Sequence, residues 1–274
     1  MIKHEIVYGH ASLNGAKVAL PAGLYLPDGA ADKPPPLFVW FHAGAFKFGS
    51  HDMKIAHKLG RRLTQAGIAV ASVGYRLRAL EGDLSETLRA NLEGFQARRA
   101  GLIRSGLCGE RSLAALEDGL AFLDWADRNA AKYGWGVERV AGGASAGGIT
   151  AFNLAFSPPA LGLTQPRLDG IFATSGGYDY PDLVDTNDRV VALAQHDPDD
   201  PRVSVKGVRM LAQKMGARMT LLEQRGMLHG HLDLTPKERP SATFRRMADF
   251  ILMATAQEAE SQAFTNAAAS RSRA

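Results

Sequence analysis

Arg139-Val140-Ala141-Gly142-Gly143-Ala144-Ser145-Ala146-Gly147-Gly148 decides the reading of this chain. A short apolar run enters Gly-x-Ser-x-Gly, and a helix-forming segment leaves it. The pattern is that of a serine held on a sharp strand-to-helix turn. Side chains at Gly143 and Gly147 would collide with a neighbouring strand or helix at so tight a turn, and glycine removes the collision. The turn lifts the Ser145 hydroxyl clear of the strands and aims a helix N-terminus at it. Gly-x-Ser-x-Gly also recurs by chance in turns without chemistry. What flanks it therefore carries the decision.

Working outward, strands and helices alternate. Leu37-Phe38-Val39-Trp40-Phe41 and Ile68-Ala69-Val70-Ala71-Ser72-Val73 are near-continuously apolar, as strands buried on both faces of a parallel sheet are. Between them, Asp52 is placed to cap a helix to about Ala66, with Gly67 at its end. Two strand regions precede these, around Ile2–Val7 and Val18–Leu26, and a proline-bearing turn spans 29–36. Ser112 is placed to cap a long helix to Tyr133 that turns Leu113, Leu116, Leu120 and Leu123 inward. Past the Ser145 turn, a helix to Phe156 stops at Pro158-Pro159. Strands follow at 170–175, 190–194 and 219–223, with a helix at 204–215 between the last two. A final helix from Ser241 carries Phe244, Met247, Ile251 and Leu252 on one side, and the tail from Glu258 is expected to fray. Residues 79–111 read as an insertion. Leu84, Leu88, Leu92 and Phe95 form one helical stripe, which suits a helix packed on the sheet or a lid over a site.

Composition bounds the possibilities. The 274 residues suit one α/β domain over 1–274, and 46% hydrophobic with 22% charged residues gives a soluble chain with a large core. The pI is near 9.2. No dense Lys/Arg stripe interleaved with aromatics accompanies it, so nucleic acid is not an expected partner. Arg61-Arg62 and Arg98-Arg99 read as solvated helix faces. The single cysteine, Cys108, excludes an intrachain disulfide. With no signal-like N-terminus and no membrane-spanning run, a cytoplasmic protein is expected. The oligomeric state is not fixed, and a homodimer is compatible with the sequence.

A serine hydroxyl needs a base, an acid to orient that base, and donors for an oxyanion. His229 lies in the loop after the last strand, with His231 as its rival. The loop after strand 190–194 offers Asp197, Asp199 and Asp200. After Leu37–Phe41 come His42-Ala43-Gly44-Ala45-Phe46, whose backbone can supply N–H donors.

These pieces together resemble the α/β-hydrolase superfamily across about residues 15–255. The motifs that carry the resemblance are His42-Ala43-Gly44-Ala45-Phe46, Gly74-Tyr75-Arg76-Leu77, the Ser145 elbow with Gly148, and Gly226-Met227-Leu228-His229-Gly230. Among members, carboxylesterases of the hormone-sensitive-lipase-like and ferulate-esterase-like group are most similar. The short N-terminus and Ala144, where that lipase group carries aspartate, place the chain nearer the compact esterases and arylformamidases. The resemblance implies a mostly parallel sheet with helices on both faces. It implies a triad of Ser145, Asp200 and His229, because Asp200-Pro201-Arg202-Val203 matches half of the family's acid motif; Asp197 is the runner-up. It implies an oxyanion hole from the N–H groups of Ala43, Gly44 and Ala146, with His42 bracing the loop. The reaction implied is hydrolysis of small, largely apolar esters through an acyl-enzyme, with no cofactor and no metal. An amidase, an arylformamidase or a small peptidase would use the same triad, and a non-catalytic binding protein on this scaffold is the third reading. The substrate pocket is expected from the insertion, Phe46, Phe48 and Tyr178-Asp179-Tyr180.

Overall fold

Leu37–Phe41 and Ala69–Val73 are buried along their whole length, as strands covered on both faces must be. The computed structural model describes residues 1–29, 33–185 and 189–271, with side chains through residue 256. In chain order the elements are β1 (Ile2–Leu13), β2 (Ala16–Leu26), β3 (Leu37–Phe41), α1 (Lys54–Leu63), β4 (Ala69–Val73), α2 (Glu86–Ala97) and α3 (Glu110–Tyr133). There follow β5 (Arg139–Ala144), α4 (Ala146–Phe156), β6 (Gly170–Thr174), β7 (Val191–His196), α5 (Val205–Met215), β8 (Met219–Glu223) and α6 (Pro240–Arg271). The turn expected over 29–36 falls partly on 30–32, outside the described residues.

The sheet order is β1-β2-β4-β3-β5-β6-β7-β8. β1 and β2 are antiparallel, and β2 runs antiparallel to β4. From β4 to β8 every pairing is parallel. This is the architecture of an α/β-hydrolase fold. The first strand is longer than its apolar residues suggested, because Asn14 and Gly15 both take positive φ (51° and 77°) and close a tight hairpin. Alternation along β3 sends Val39 and Phe41 to one face and Phe38 and Trp40 to the other. The first face is covered by α2–α5, the second by α1 and α6.

Several expected details change. Asp52 does not cap α1: the N-cap is Met53, and Asp52 instead pairs with Lys3 and His57. Ser112 lies inside the first turn of α3, and its hydroxyl donates to the Gly109 carbonyl at 2.7 Å. Both polar residues found tertiary or upstream partners instead of a cap. Leu252 is exposed and Phe244 half-buried, so Met247 and Ile251 carry the packing of α6 with help from Phe250. The helix runs on to Arg271 where fraying was expected; the segment is rich in alanine, the strongest helix former.

The stripe of the insertion is buried. Leu88 and Phe95 are shielded completely or nearly so within the core under α2–α5. Arg99 is not a solvated residue: its guanidinium donates to the buried Asp179 carboxylate at 2.8 Å. The Asp179 carboxylate also accepts the Leu102 and Ile103 N–H groups, tying the end of the insertion to the loop after β6. Its base is held by Arg76, which donates to Asp118 on α3 and to the Asp83 and Ser12 carbonyls.

Candidate active site

At the end of β5 the chain reverses through Ser145, whose φ of 53° and ψ of −115° lie in a region few side-chain-bearing residues occupy. Such a conformation costs about 1–3 kcal/mol and persists only where surroundings enforce it. The surroundings are visible. A Cβ on Gly147 would sit 1.9 Å from the Phe41 carbonyl oxygen, and one on Gly143 would sit 2.3 Å from the Gly147 backbone. The Ser145 N–H donates to the Thr174 carbonyl at 2.9 Å, and the Ser145 carbonyl accepts the Ile149 N–H, starting α4. The strained turn is thus clamped between β3, β6 and the first turn of α4.

The Ser145 hydroxyl donates to His229 Nε2 at 2.8 Å, and His229 Nδ1–H donates to Asp200 Oδ2 at 2.6 Å. These two bonds fix one tautomer of the imidazole. Asp200 Oδ1 accepts the Arg202 and Val203 N–H groups at 2.8 and 3.1 Å. Burial alone would raise the Asp200 carboxyl, but the His229 bond and the two backbone donors outweigh it and hold the group down to about 2. It is therefore ionised at any working pH.

The other candidates take different positions. Asp197 Oδ1 accepts the Asp199 N–H and its Oδ2 accepts the Gly226 N–H, so it stitches the acid loop to the loop bearing His229. Asp199 pairs with Arg225 on the surface. His231 presents an exposed ring two residues from His229, while its carbonyl accepts the Thr174 hydroxyl.

After β3 the chain turns through Gly44 (φ 137°), Ala45 (52°) and Phe46 (60°). A Cβ on Gly44 would lie 1.9 Å from the Phe48 carbonyl oxygen, which demands glycine. Ala43 is not among the positive-φ residues, so its side chain is accommodated. Among the described residues the N–H groups of Ala43, Gly44 and Ala146 have no acceptor. Ala146 opens α4, where first-turn N–H groups point outward. His42 braces this loop. Its Nδ1–H donates to the Ala43 carbonyl at 2.7 Å, its ring stacks on Tyr75 at 4.3 Å, and the Tyr75 hydroxyl donates to the His42 carbonyl. Burial pushes His42 down to about 4, so it stays neutral.

Sequence reasoning missed the residues that set the height of the base loop. The Ser175 hydroxyl accepts the Gly230 N–H at 2.9 Å, and the Gln195 side-chain amide donates to the Leu232 carbonyl at 2.6 Å. His196 Nε2–H donates to the Val203 carbonyl at 2.9 Å and lies 3.8 Å from Asp200. Burial lowers its pKa, which leaves a neutral imidazole beside the carboxylate. The signal for all of them was a polar residue at the C-terminal end of a strand otherwise apolar, as at Thr174-Ser175 and Gln195-His196.

The expected pocket is corrected. Phe46, Tyr178 and Tyr180 are buried in the core, and Phe48 is exposed with Arg78 over its ring. Positive φ at Phe46 turns its side chain inward, and the loop after β6 folds Tyr178 and Tyr180 onto Phe156 and Phe95. A cavity of about 520 Å³ opens instead between α1 and the start of α6. It is lined in part by Trp40, Ala43, Ala144, Gly230 and Phe244. Ser145 and His229 do not line it, but residues next to each of them do.

Neither a family model nor a curated protein matches the sequence. Solved structures do match the fold. An esterase of Thermogutta terrifontis with butyrate bound superposes with a TM-score of 0.65 at 15% identity, covering 91% of this chain and 93% of that one. A truncated carbohydrate esterase from gut microbiota gives 0.63 at 16% identity, covering 93% and 97%. The bifunctional GH43-CE protein of Bacteroides eggerthii gives 0.63 at 18% identity, covering 92% of this chain and 38% of that one. These likenesses place the chain in the α/β-hydrolase fold.

Proposed function

We propose that the protein is a serine hydrolase that cleaves carboxylic esters. The observation that carries the reading is the continuous relay Ser145–His229–Asp200, with bonds of 2.8 and 2.6 Å, ending at a serine held in a strained turn. Ser145 Oγ attacks the ester carbonyl while His229 Nε2 takes its proton. Asp200 holds the imidazole in the tautomer that can do so and stabilises the imidazolium. The N–H groups of Gly44 and Ala146, with Ala43, meet the oxyanion. His229 returns its proton to the leaving alcohol, and a water activated by the same histidine releases the acid. No step needs a metal or an organic cofactor.

Fold neighbours that are esterases support ester hydrolysis over the amide reading. Ala144, where the hormone-sensitive-lipase-like group carries aspartate, supports a compact esterase rather than a member of that group. Within this single domain, segment 79–111 serves as a fixed wall and not as a moving lid. Its buried stripe, its Arg99–Asp179 pair and the bond from Arg104 to the Pro201 carbonyl beside the acid loop support that role. The single buried thiol, Cys108, is compatible with a cytoplasmic setting. Among the described residues no helix is long and apolar enough to cross a membrane.

The test is a panel of aryl esters of graded acyl length set beside N-formyl aryl amides. Turnover of the esters with little on the amides is expected. The opposite ranking makes the enzyme an arylformamidase or amidase.

A further inference from the structure

The cavity beside the oxyanion loop has a composition the triad does not explain. Its floor is apolar: Trp40, Ile55, Ala144, Leu232 and Phe244 line it. Its rim is cationic. Lys54, Lys58, Arg61 and Arg62 recur on α1 at helical spacings of four, three and one, and all four border the same cavity. Among the described residues none of them has a hydrogen-bond or ion-pair partner. These four exposed cations along ten helical residues give the rim a positive field that draws anions. Among the described residues, Asp233 is the one carboxylate lining the cavity, and it already accepts the Thr243 hydroxyl at 2.8 Å.

Two further features point the same way. Trp40 is buried, it lines the cavity, and its indole N–H has no acceptor among the described residues. Buried indole N–H groups ordinarily find one. The N-cap of α1, Met53, also lines the cavity, offers no side-chain cap, and is followed by no acidic residue in the first turn.

We propose that this cavity is the specificity site for an ester whose longer arm is apolar and ends in a carboxylate. The apolar arm lies on Trp40, Leu232 and Phe244, and the carboxylate reaches the Lys58–Arg62 rim. About 520 Å³ is ample for such an arm and falls within the usual range of small-molecule sites. Ala43, Ala144 and Gly230 line the cavity, and the last two adjoin Ser145 and His229 in the chain. The inference rests on the ester-hydrolase reading for the identity of the ligand as a substrate, but not for the binding of the anion.

The test uses two substrate pairs. On the acyl side, 4-nitrophenyl hydrogen adipate is set beside 4-nitrophenyl hexanoate. On the alcohol side, 4-acetoxybenzoate is set beside phenyl acetate. In at least one pair the kcat/KM ratio of anionic to neutral ester is expected to fall about tenfold in the double variant Lys58→Glu/Arg62→Glu, and to fall with added salt in the unmodified chain. The pair that responds tells which side of the carbonyl enters the cavity. Ratios unchanged in both pairs would overturn the proposal. A separate arm titrates 4-phenylbutanoate calorimetrically into Ser145→Ala, where turnover plays no part. Binding that weakens about tenfold in the added Lys58→Glu/Arg62→Glu background is expected. If no ester is hydrolysed, the hydrolase reading fails while this arm still decides the site: no binding, or binding indifferent to the rim, overturns it.

Discussion

Asp118 and Asp200 are both buried carboxylates that hold a nitrogen base, and the contrast between them separates scaffold from site. Asp118 on α3 receives the Arg76 N–H at 2.7 Å and its Nε at 2.9 Å. The remaining Arg76 donors are spent on Glu117, Asp83 and Ser12. Every polar group in that cluster points at another, so the network closes and ties the β1–β2 hairpin, the insertion and α3 together. Asp200 begins in the same way, with backbone N–H groups on one oxygen and His229 on the other. Its base, however, passes on to the Ser145 hydroxyl. Ser145 itself opens α4, whose first N–H, that of Ala146, has no acceptor among the described residues. Burial and pairing are common to both clusters; an open end is found only in the second.

The contrast is sharpest when each carboxylate is altered. Asp200→Asn should lower kcat by about 10³–10⁴-fold, since an amide cannot hold the imidazole in its working tautomer, while stability falls by no more than about 2 kcal/mol. Steady-state kinetics and a thermal melt on the same preparation check this. Asp118→Ala should do the reverse. It leaves the Arg76 guanidinium buried without its main partner and should cost about 3–5 kcal/mol in denaturant unfolding, with kcat per folded molecule kept within a few-fold. If both variants lose activity and stability together, the two clusters are not separable in this way.

A subtler separation lies in acid. The folded Asp200 carboxyl sits at about 2, below the ordinary 3.8. A depressed carboxylate adds stability that is complete above the unfolded value and is lost as pH falls through the folded one. Asp200 should therefore contribute about 2 kcal/mol at neutral pH and forfeit it between roughly pH 4 and 2. Acid unfolding of Asp200→Asn should lack that component, a difference visible by circular dichroism. The smallest effect is expected at Asp197, which holds a loop and not the imidazole. Asp197→Asn should reduce kcat less than about tenfold.

How far the sequence anticipates this molecule depends on the range of the forces involved. β3, α4 and β8 fall where apolar runs, glycines and prolines place them, because those signals act within a few residues. Ser145, His229 and the loop of three aspartates could be placed because each follows a strand in a parallel sheet, and the topology brings such loops to one edge; Asp200 stood out from Asp197 and Asp199 only through the resemblance to the family's acid motif. Asp52 and Ser112 misled for the opposite reason. Each is a good cap in isolation, but Lys3 and His57 compete for one and the Gly109 carbonyl for the other. Tyr178 and Tyr180 lie in a loop, and only their packing on Phe156 and Phe95 buries them. The cationic rim was also hidden. Arg61-Arg62 are solvated as expected, yet the cavity they border exists only because Phe244 and Leu232 meet α1 from the far end of the chain.

The central claim is that the strained serine at the end of the relay is the reacting atom. Intact-mass analysis after exposure to a fluorophosphonate tests it most directly. One adduct per chain is expected, mapped by peptide sequencing to Ser145, absent in Ser145→Ala and slowed by orders of magnitude in His229→Ala. An unlabelled chain, or an adduct on another residue that persists in Ser145→Ala, would contradict the account.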